Sequence, residues 1–336
     1  MPVTKFTNLD FDQIKTQIKD YLRANSNFTD FDFEGSNFSV LIDTLAYNTY
    51  ISAFNSNLVV NESFLDSATL RENVVSLARN IGYVPRSKTA SRASVSFDVT
   101  ANSTSTEIRL QPGLVCVGRS NDSDVVFSIS EEIVASTTVT SGIATASFGS
   151  VSSPIDVLEG TFLTSQFVVD GSLDQRFILD NANIDTSSIV AYVGSPGIRG
   201  KQYKLVDNIV GISSISDTYL IQEVQDERYE LLFGDGIFGR KPENGAVITV
   251  QYVVTSGSEG NGPSHFNFAG SFLGDAGQVI TPSFTPTINT IAPAANGGDI
   301  ESIDSIKYFA PRLYSSQYRA VTARDYEGII QSVFPD

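Results

Sequence analysis

The sequence predicts an α+β protein with a helical N-terminal segment, β-rich middle domains and a short helical C-terminal segment. Three observations carry that class. Apolar residues recur at the helical period in three stretches before residue 82. From about residue 90, short runs alternate Val, Ile or Phe with Ser or Thr, the period of half-buried strands. Helical spacing returns after residue 300.

The first helix is predicted over 10–24, where Phe11, Ile14, Ile18 and Leu22 share one face and Asp10 suits the cap. A long helix follows over 36–60, opened by Gly35 and Ser36. Its first half gathers Phe38, Leu41, Ile42 and Leu45 on one side. At about 100° per residue, Tyr47, Ile51, Phe54 and Leu58 then fall roughly opposite, with Tyr50 beside them. One neighbour cannot cover both stripes. A third helix over 67–81 presents Leu70, Val74, Leu77 and Ile81, takes Asp66 or Ser67 as cap, and stops at Gly82 with Pro85 beyond.

Strand patterns then run through SVSFDV, VVFSIS, TFLTSQFVV, SIVAYV and GAVITVQYVV, broken by turn residues. More than one β module is expected, divided near 150–160 or 195–200. The working partition is 1–89 helical, 90–200 and 201–298 β-rich, and 299–336 helical. In the last segment Ile303, Ile306 and Phe309 precede Pro311, and Thr322 with Asp325 has the spacing of a reciprocal cap. The ending Phe334-Pro335-Asp336 reads as a cut through a longer polypeptide.

Composition narrows the function. A net charge of −16 disfavours phosphate-backbone and anionic lipid partners, which bind through Lys and Arg. Residues 91–300 carry 10 basic and 23 acidic side chains, whereas both ends are near neutral and so better suited to buried contacts. Cys116 and His265 are the only residues of their types, which leaves little with which to build a disulfide, a zinc site or a nucleophilic triad. No secretory leader or membrane-spanning run is expected, and folding in the cytosol is the reading.

The most conspicuous motif is LLFGDGIFGRKPENGAVITVQY, residues 231–252. It lacks the Gly-Lys-Ser/Thr ending and following helix of a phosphate loop. A folded β-turn is the better reading: Phe233 leads in, Gly234, Gly236 and Gly239 allow positive φ, Asp235 satisfies turn amides, and Pro242 with Gly245 shapes the next turn. Asp122 and Asp124 read as a solvated turn rather than a calcium loop. Asp30, Asp32 and Glu34 favour the start of the long helix through its dipole rather than marking catalysis. His265 stands in a turn with no nucleophile motif near it. No enzymatic activity, cofactor, metal or small-molecule substrate is expected. The second stripe of the long helix remains open to two readings, cover by a β domain of the same chain or cover by another chain.

A resemblance separates them. The stretch DFEGSNFSVLIDTLAYNTYISAFNSNLVVNESFLDSATLRENVVSLARNIGYVPRS closely resembles the N-terminal segment of the baseplate wedge protein of T-even-like contractile-tailed phages. LLFGDGIFGRKPENGAVITVQY, GSEGN and GGDIESIDSIKYFAPRLYSSQYRAVTARDYEGII resemble the broader baseplate J-like family in the same order, while residues 100–220 add little. The resemblance implies a structural virion component assembled in the host cytoplasm. Two copies would join a smaller wedge protein through a helical bundle, six wedges would surround the hub, and a sheath-initiating subunit would lie in the next layer. It also implies a tense-to-relaxed rearrangement that starts sheath contraction, which needs interfaces with two discrete packings. Family chains of this type continue well past TARDYE into a portion that makes wedge-to-wedge contacts. On this reading Tyr47, Tyr50, Ile51, Phe54 and Leu58, with helices 36–60 and 67–81, face an intermolecular bundle. The competing class is a β-rich adhesin or glycan-binding protein, motivated by the Ser/Thr/Asn-rich strands of 90–230.

Overall fold

The computed structural model describes residues 10–25, 37–120, 123–172, 174–198, 200–206, 211–317, 319–323, 325–326 and 329–330. The expectations for Asp30, Asp32, Glu34, Gly35, Ser36 and Asp122 fall outside these residues. The chain forms two compact units, one from residues 1–85 with 302–336 and the other from 86–301.

In the helical unit, α1 is Phe11–Asn25, α2 is Asn37–Glu62 and α3 is Arg71–Asn80. The segment expected to open α3 from residue 67 is instead a turn, and the N-cap is Leu70, whose side chain makes no capping bond. Gly82 ends the helix as expected. At φ +81° it lets its own N–H reach the carbonyl of Arg79 and the N–H of Tyr83 reach that of Ala78, closing two orphan carbonyls.

The fourth helix, α4, is Ile303–Ser316, with Ser302 Oγ accepting from the Ser305 N–H. It contains Pro311 in its interior. Its Ile306, Ala310 and Leu313 pack with Val74, Val75 and Ala78 of α3 and with Tyr83. The buried face of α3 is therefore rotated from the expected one, leaving Leu70 exposed. Beyond α4 the reciprocal cap forms: the Thr322 N–H donates to Asp325 Oδ2 at 2.8 Å, and the Asp325 N–H donates to Thr322 Oγ1 at 3.3 Å.

The second unit holds the strands. The first run is β1 (Arg92–Asn102), β2 (Glu107–Leu110), β3 (Gly113–Ser120), β4 (Ser123–Ile129), β5 (Ile133–Ser136), β6 (Thr138–Thr140), β7 (Ile143–Phe148) and β8 (Ile155–Glu159). The second is β9 (Thr161–Val168), β10 (Phe177–Ile178), β11 (Ile184–Gly194), β12 (Lys201–Leu205), β13 (Thr218–Glu223), β14 (Tyr229–Phe233) and β15 (Val247–Val254). Then β16 (Phe266–Phe268), β17 (Phe272–Gly274), β18 (Val279–Ile280) and β19 (Ile288–Ala295) return to the strands of the first run.

Antiparallel pairings link β1 to β8, β8 to β4, β4 to β3, β3 to β16 and β19 to β1. The Asn267–Thr287 bridge and the bonds from Gly262 N–H to Ala294 O and from Ala294 N–H to Pro263 O join β16 to β19. The pairings thus close on themselves as a small barrel, with β7 and β6 continuing off β1. Its core is aromatic: Phe97 stacks on Phe148 at 5.3 Å and meets Phe268 at 5.2 Å, and Phe268 stacks on Phe272 at 5.0 Å. A four-stranded sheet, β18-β17-β2-β5, accompanies it.

Strands β9–β15 form a separate seven-stranded sheet in the order β10-β14-β13-β12-β11-β15-β9, parallel only between β12 and β13. Residue 200 lies in the turn between the paired strands β11 and β12, so a boundary at 200 cuts this sheet. The topology divides the β region at Gly160 and again after β15, making the second module an insertion in the first. Where the chain crosses between the modules, buried carboxylates hold backbone amides: Asp185 accepts from the Ala90 N–H and Glu159 from the Ser256 N–H.

Candidate assembly interface

At about 1.5 Å per residue, α2 is a rod of about 39 Å. Thr44, Thr49 and Ser56 each donate to the carbonyl four residues back, at 2.8, 2.8 and 2.8 Å, and Ser63 just past its end does the same at 2.7 Å. The large apolar side chains, by contrast, face water. Tyr47 is 60% exposed and Phe54 55%; Tyr50 and Leu58 are exposed and Ile51 is half-buried. Only Ile42, Ala46 and Ala53 among its apolar residues are buried.

The first stripe is open as well. Helix α1 lies along it with Ile14 buried and Lys15 paired to Asp43 at 2.6 Å, yet Phe38, Leu41 and Leu45 remain exposed. They line a groove of about 650 Å³ together with Ile18, Tyr21 and Leu22 of α1. Helix α1 covers this stripe in part, while α3 packs on α4. Contiguous exposed apolar surface of this extent is uncommon on a free monomer.

The turn from α2 into α3 depends on a residue the sequence reading passed over. Glu62 Oε1 accepts from Thr69 N–H at 2.7 Å and Thr69 Oγ1 at 2.6 Å, while Oε2 accepts from Leu70 N–H at 3.3 Å and Asn73 Nδ2 at 2.8 Å. Helix α3 is therefore capped from the end of α2. Burial raises the Glu62 carboxyl, but these bonds outweigh it and hold the group at about 2, against an ordinary value of 4.5. The cap's contribution is then complete above pH 4.5 and declines as pH falls from 4.5 toward 2. Glu62→Ala is expected to lower α3 stability by about 1–2 kcal/mol at neutral pH. Hydrogen exchange of the α3 amides checks this; a difference from the parent chain that persists undiminished at pH 2 would exclude the ionised cap.

The glycine motif after β14 is built by two different constraints. Gly236 and Gly239 take φ of +94° and +89°, as expected, and Gly245 in the next turn takes +81°. Gly234 does not have positive φ. It is required by space, because a Cβ there would lie 2.1 Å from the Gly239 carbonyl carbon. Asp235 Oδ1 accepts from the N–H groups of Ile237 and Phe238, both at 2.8 Å, which holds the carboxyl below its ordinary range. Phe233 packs among Phe177, Tyr203 and Tyr219, and Pro242 is half-buried.

The residues weighed for chemistry do not converge. Cys116 is fully buried in the barrel core, where burial pushes its thiol up to about 12. His265 is exposed just before β16, and Asp124 is exposed in β4. Among the described residues no group of three His, Cys, Asp or Glu side chains could hold a metal, and no helix is long and apolar enough to cross a membrane.

Residues 10–83, which span α1–α3 and their connections, match the model of the baseplate wedge protein gp6-like helical domain. Over 98% of its length the chain is 29% identical to baseplate wedge protein gp6 of Enterobacteria phage T4, of which it spans half. A cryo-EM structure of the anti-feeding prophage baseplate aligns with 99% of this chain and 66% of its own at 12% identity, but the TM-score of 0.32 is too low to read shared architecture from it. Residues 10–83 are thus similar to the gp6-like baseplate wedge helical domain, within a sequence similar to the phage T4 wedge protein along nearly its whole length.

Proposed function

We propose that this chain is a structural component of a contractile-tail baseplate, building the wedge around the hub with α2 as its entry into an intermolecular helical bundle. The observation that carries the proposal is the two-sided apolar exposure of α2, along which the Thr44, Thr49 and Ser56 hydroxyls are already bonded to the helix itself. Burying each of its large side chains contributes about 1.5–3 kcal/mol, enough in sum to hold a specific assembly. The partners are a second copy of the chain, a smaller wedge protein in the same bundle and a sheath-initiating subunit, and the location is the tail baseplate after assembly in host cytoplasm. The role is mechanical: rigid helices and barrels that repack between two arrangements pass a rearrangement to the sheath.

Co-expression with the other wedge proteins of the same tail, followed by native mass spectrometry and hydrogen exchange, tests it. The expected result is a stable complex in which α2 amides near Tyr47–Leu58 are far better protected than in the chain alone. A chain that stays monomeric beside every wedge protein, or a complex with α2 unprotected, would remove this reading.

A further inference from the structure

Strand β9 is one edge of the inserted sheet, and its antiparallel pairing with β15 runs without a register shift from Thr161 opposite Val254 to Val168 opposite Val247. The Val169 N–H bonds to the Ala246 carbonyl, so the odd-numbered residues of β9 turn their backbone groups toward β15 and the even-numbered ones turn theirs away. At both ends these outward groups are in use. The Gly160 N–H donates to the Val126 carbonyl, and the Val168 carbonyl accepts from Gln175 Nε2 at 2.7 Å. Between them, the outward N–H and C=O groups of Thr164 and Gln166 have no protein partner among the described residues. Both of these residues are exposed, as is Val168.

Natural sheets defend an edge of this length with a charge, a proline or a bulge. The strand TFLTSQFV has none of the three, although residues 91–300 carry 23 acidic side chains against 10 basic. In so acidic a unit, an uncharged edge is where two copies can approach without like charges meeting. We propose that β9 docks on β9 of a second copy, antiparallel across a two-fold axis at Ser165. Thr164 then pairs with the partner's Gln166, and Gln166 with the partner's Thr164, each pair exchanging two backbone bonds. Leu163 and Phe167, half-buried at the rim of the inserted core, come opposite the partner's Phe167 and Leu163, so the same register also covers apolar surface. The contact is self-complementary, as a two-fold interface requires. It lies on the inserted sheet and depends neither on α2 nor on another wedge protein. One strand pair is smaller than the roughly 800 Å² per partner of a stable complex, so the dimer is reversible.

The full chain carrying Phe54→Asp tests the proposal, since association through α2 is then removed. Ser165 would face the partner's Ser165 as a non-hydrogen-bonded pair with Cα atoms about 4.5 Å apart, within disulfide reach. Ser165→Cys is expected to form an intermolecular disulfide under mild oxidation at least about tenfold faster than Ser152→Cys, which is exposed in the turn before β8. Cys116 is buried and does not compete. Sedimentation velocity on cysteine-free positions reads the register. Thr164→Lys with Gln166→Lys sets lysine against lysine and is expected to remove the reversible dimer, whereas Thr164→Lys with Gln166→Glu sets lysine against glutamate and is expected to keep it. Equal cross-linking at the two cysteines, a chain that stays monomeric at every concentration, or a dimer indifferent to both double substitutions overturns the proposal.

Discussion

Phe54→Asp is expected to abolish co-purification of the chain with its wedge partners while leaving the β unit folded. Phe54 is more than half exposed at the middle of α2, so the substitution removes little packing from the chain by itself. In a bundle it would exchange a buried ring, worth about 1.5–3 kcal/mol, for a carboxylate that must be desolvated without a partner. Together these exceed about 3 kcal/mol, an affinity loss of at least about a hundredfold. Ile51→Asp should act the same way with somewhat more cost to the free chain, since Ile51 is already half-buried. Serine at Phe54 would separate the two contributions, because it loses the ring but adds no charge. An undiminished complex in Phe54→Asp, with the β unit's near-ultraviolet signal intact, would show that α2 is not the bundle surface.

Much of the fold was legible because its determinants are local. Gly82 and the Thr322–Asp325 pair act within a few residues of themselves, so spacing alone located a helix cap and a stop. Alternation in SVSFDV and GAVITVQYVV located strands β1 and β15 because one face of each is buried. What escaped depends on contacts distant in sequence. Glu62 caps a helix that starts nine residues later, and its one sequence signal was a carboxylate in the last turn of α2, where it opposes the helix dipole. Gly234 reads like its neighbours in the motif, yet its constraint is the Gly239 backbone pressed against it. The helical period distinguishes the sides of α3 but cannot say that α4, more than 200 residues away, would select Val75 and Ala78. The exposed stripe on α2 belongs to a third kind: its periodicity was readable, and it is left exposed in the chain's own fold.

The largest stability effect is expected at Phe97, in the middle of β1. That strand pairs with β7, β8 and β19, so its inward side chains hold the closure of the barrel together. Phe97 is fully buried and touches the rings of Phe148, Phe268 and Phe272, which come from β7, β16 and β17. Phe97→Ala removes the ring that joins elements from both ends of this discontinuous module, and the loss should be about 3–5 kcal/mol. For a β unit of this size that corresponds to a fall of roughly 10 °C in its melting transition. The inserted sheet has its own core around Tyr219, Tyr252 and Leu231, so its amides should keep their protection better than those of β16–β19. Hydrogen exchange resolved by strand would read this gradient. A loss below about 1 kcal/mol, or uniform loss of protection across both modules, would show that the Phe97 cluster is not what closes the barrel.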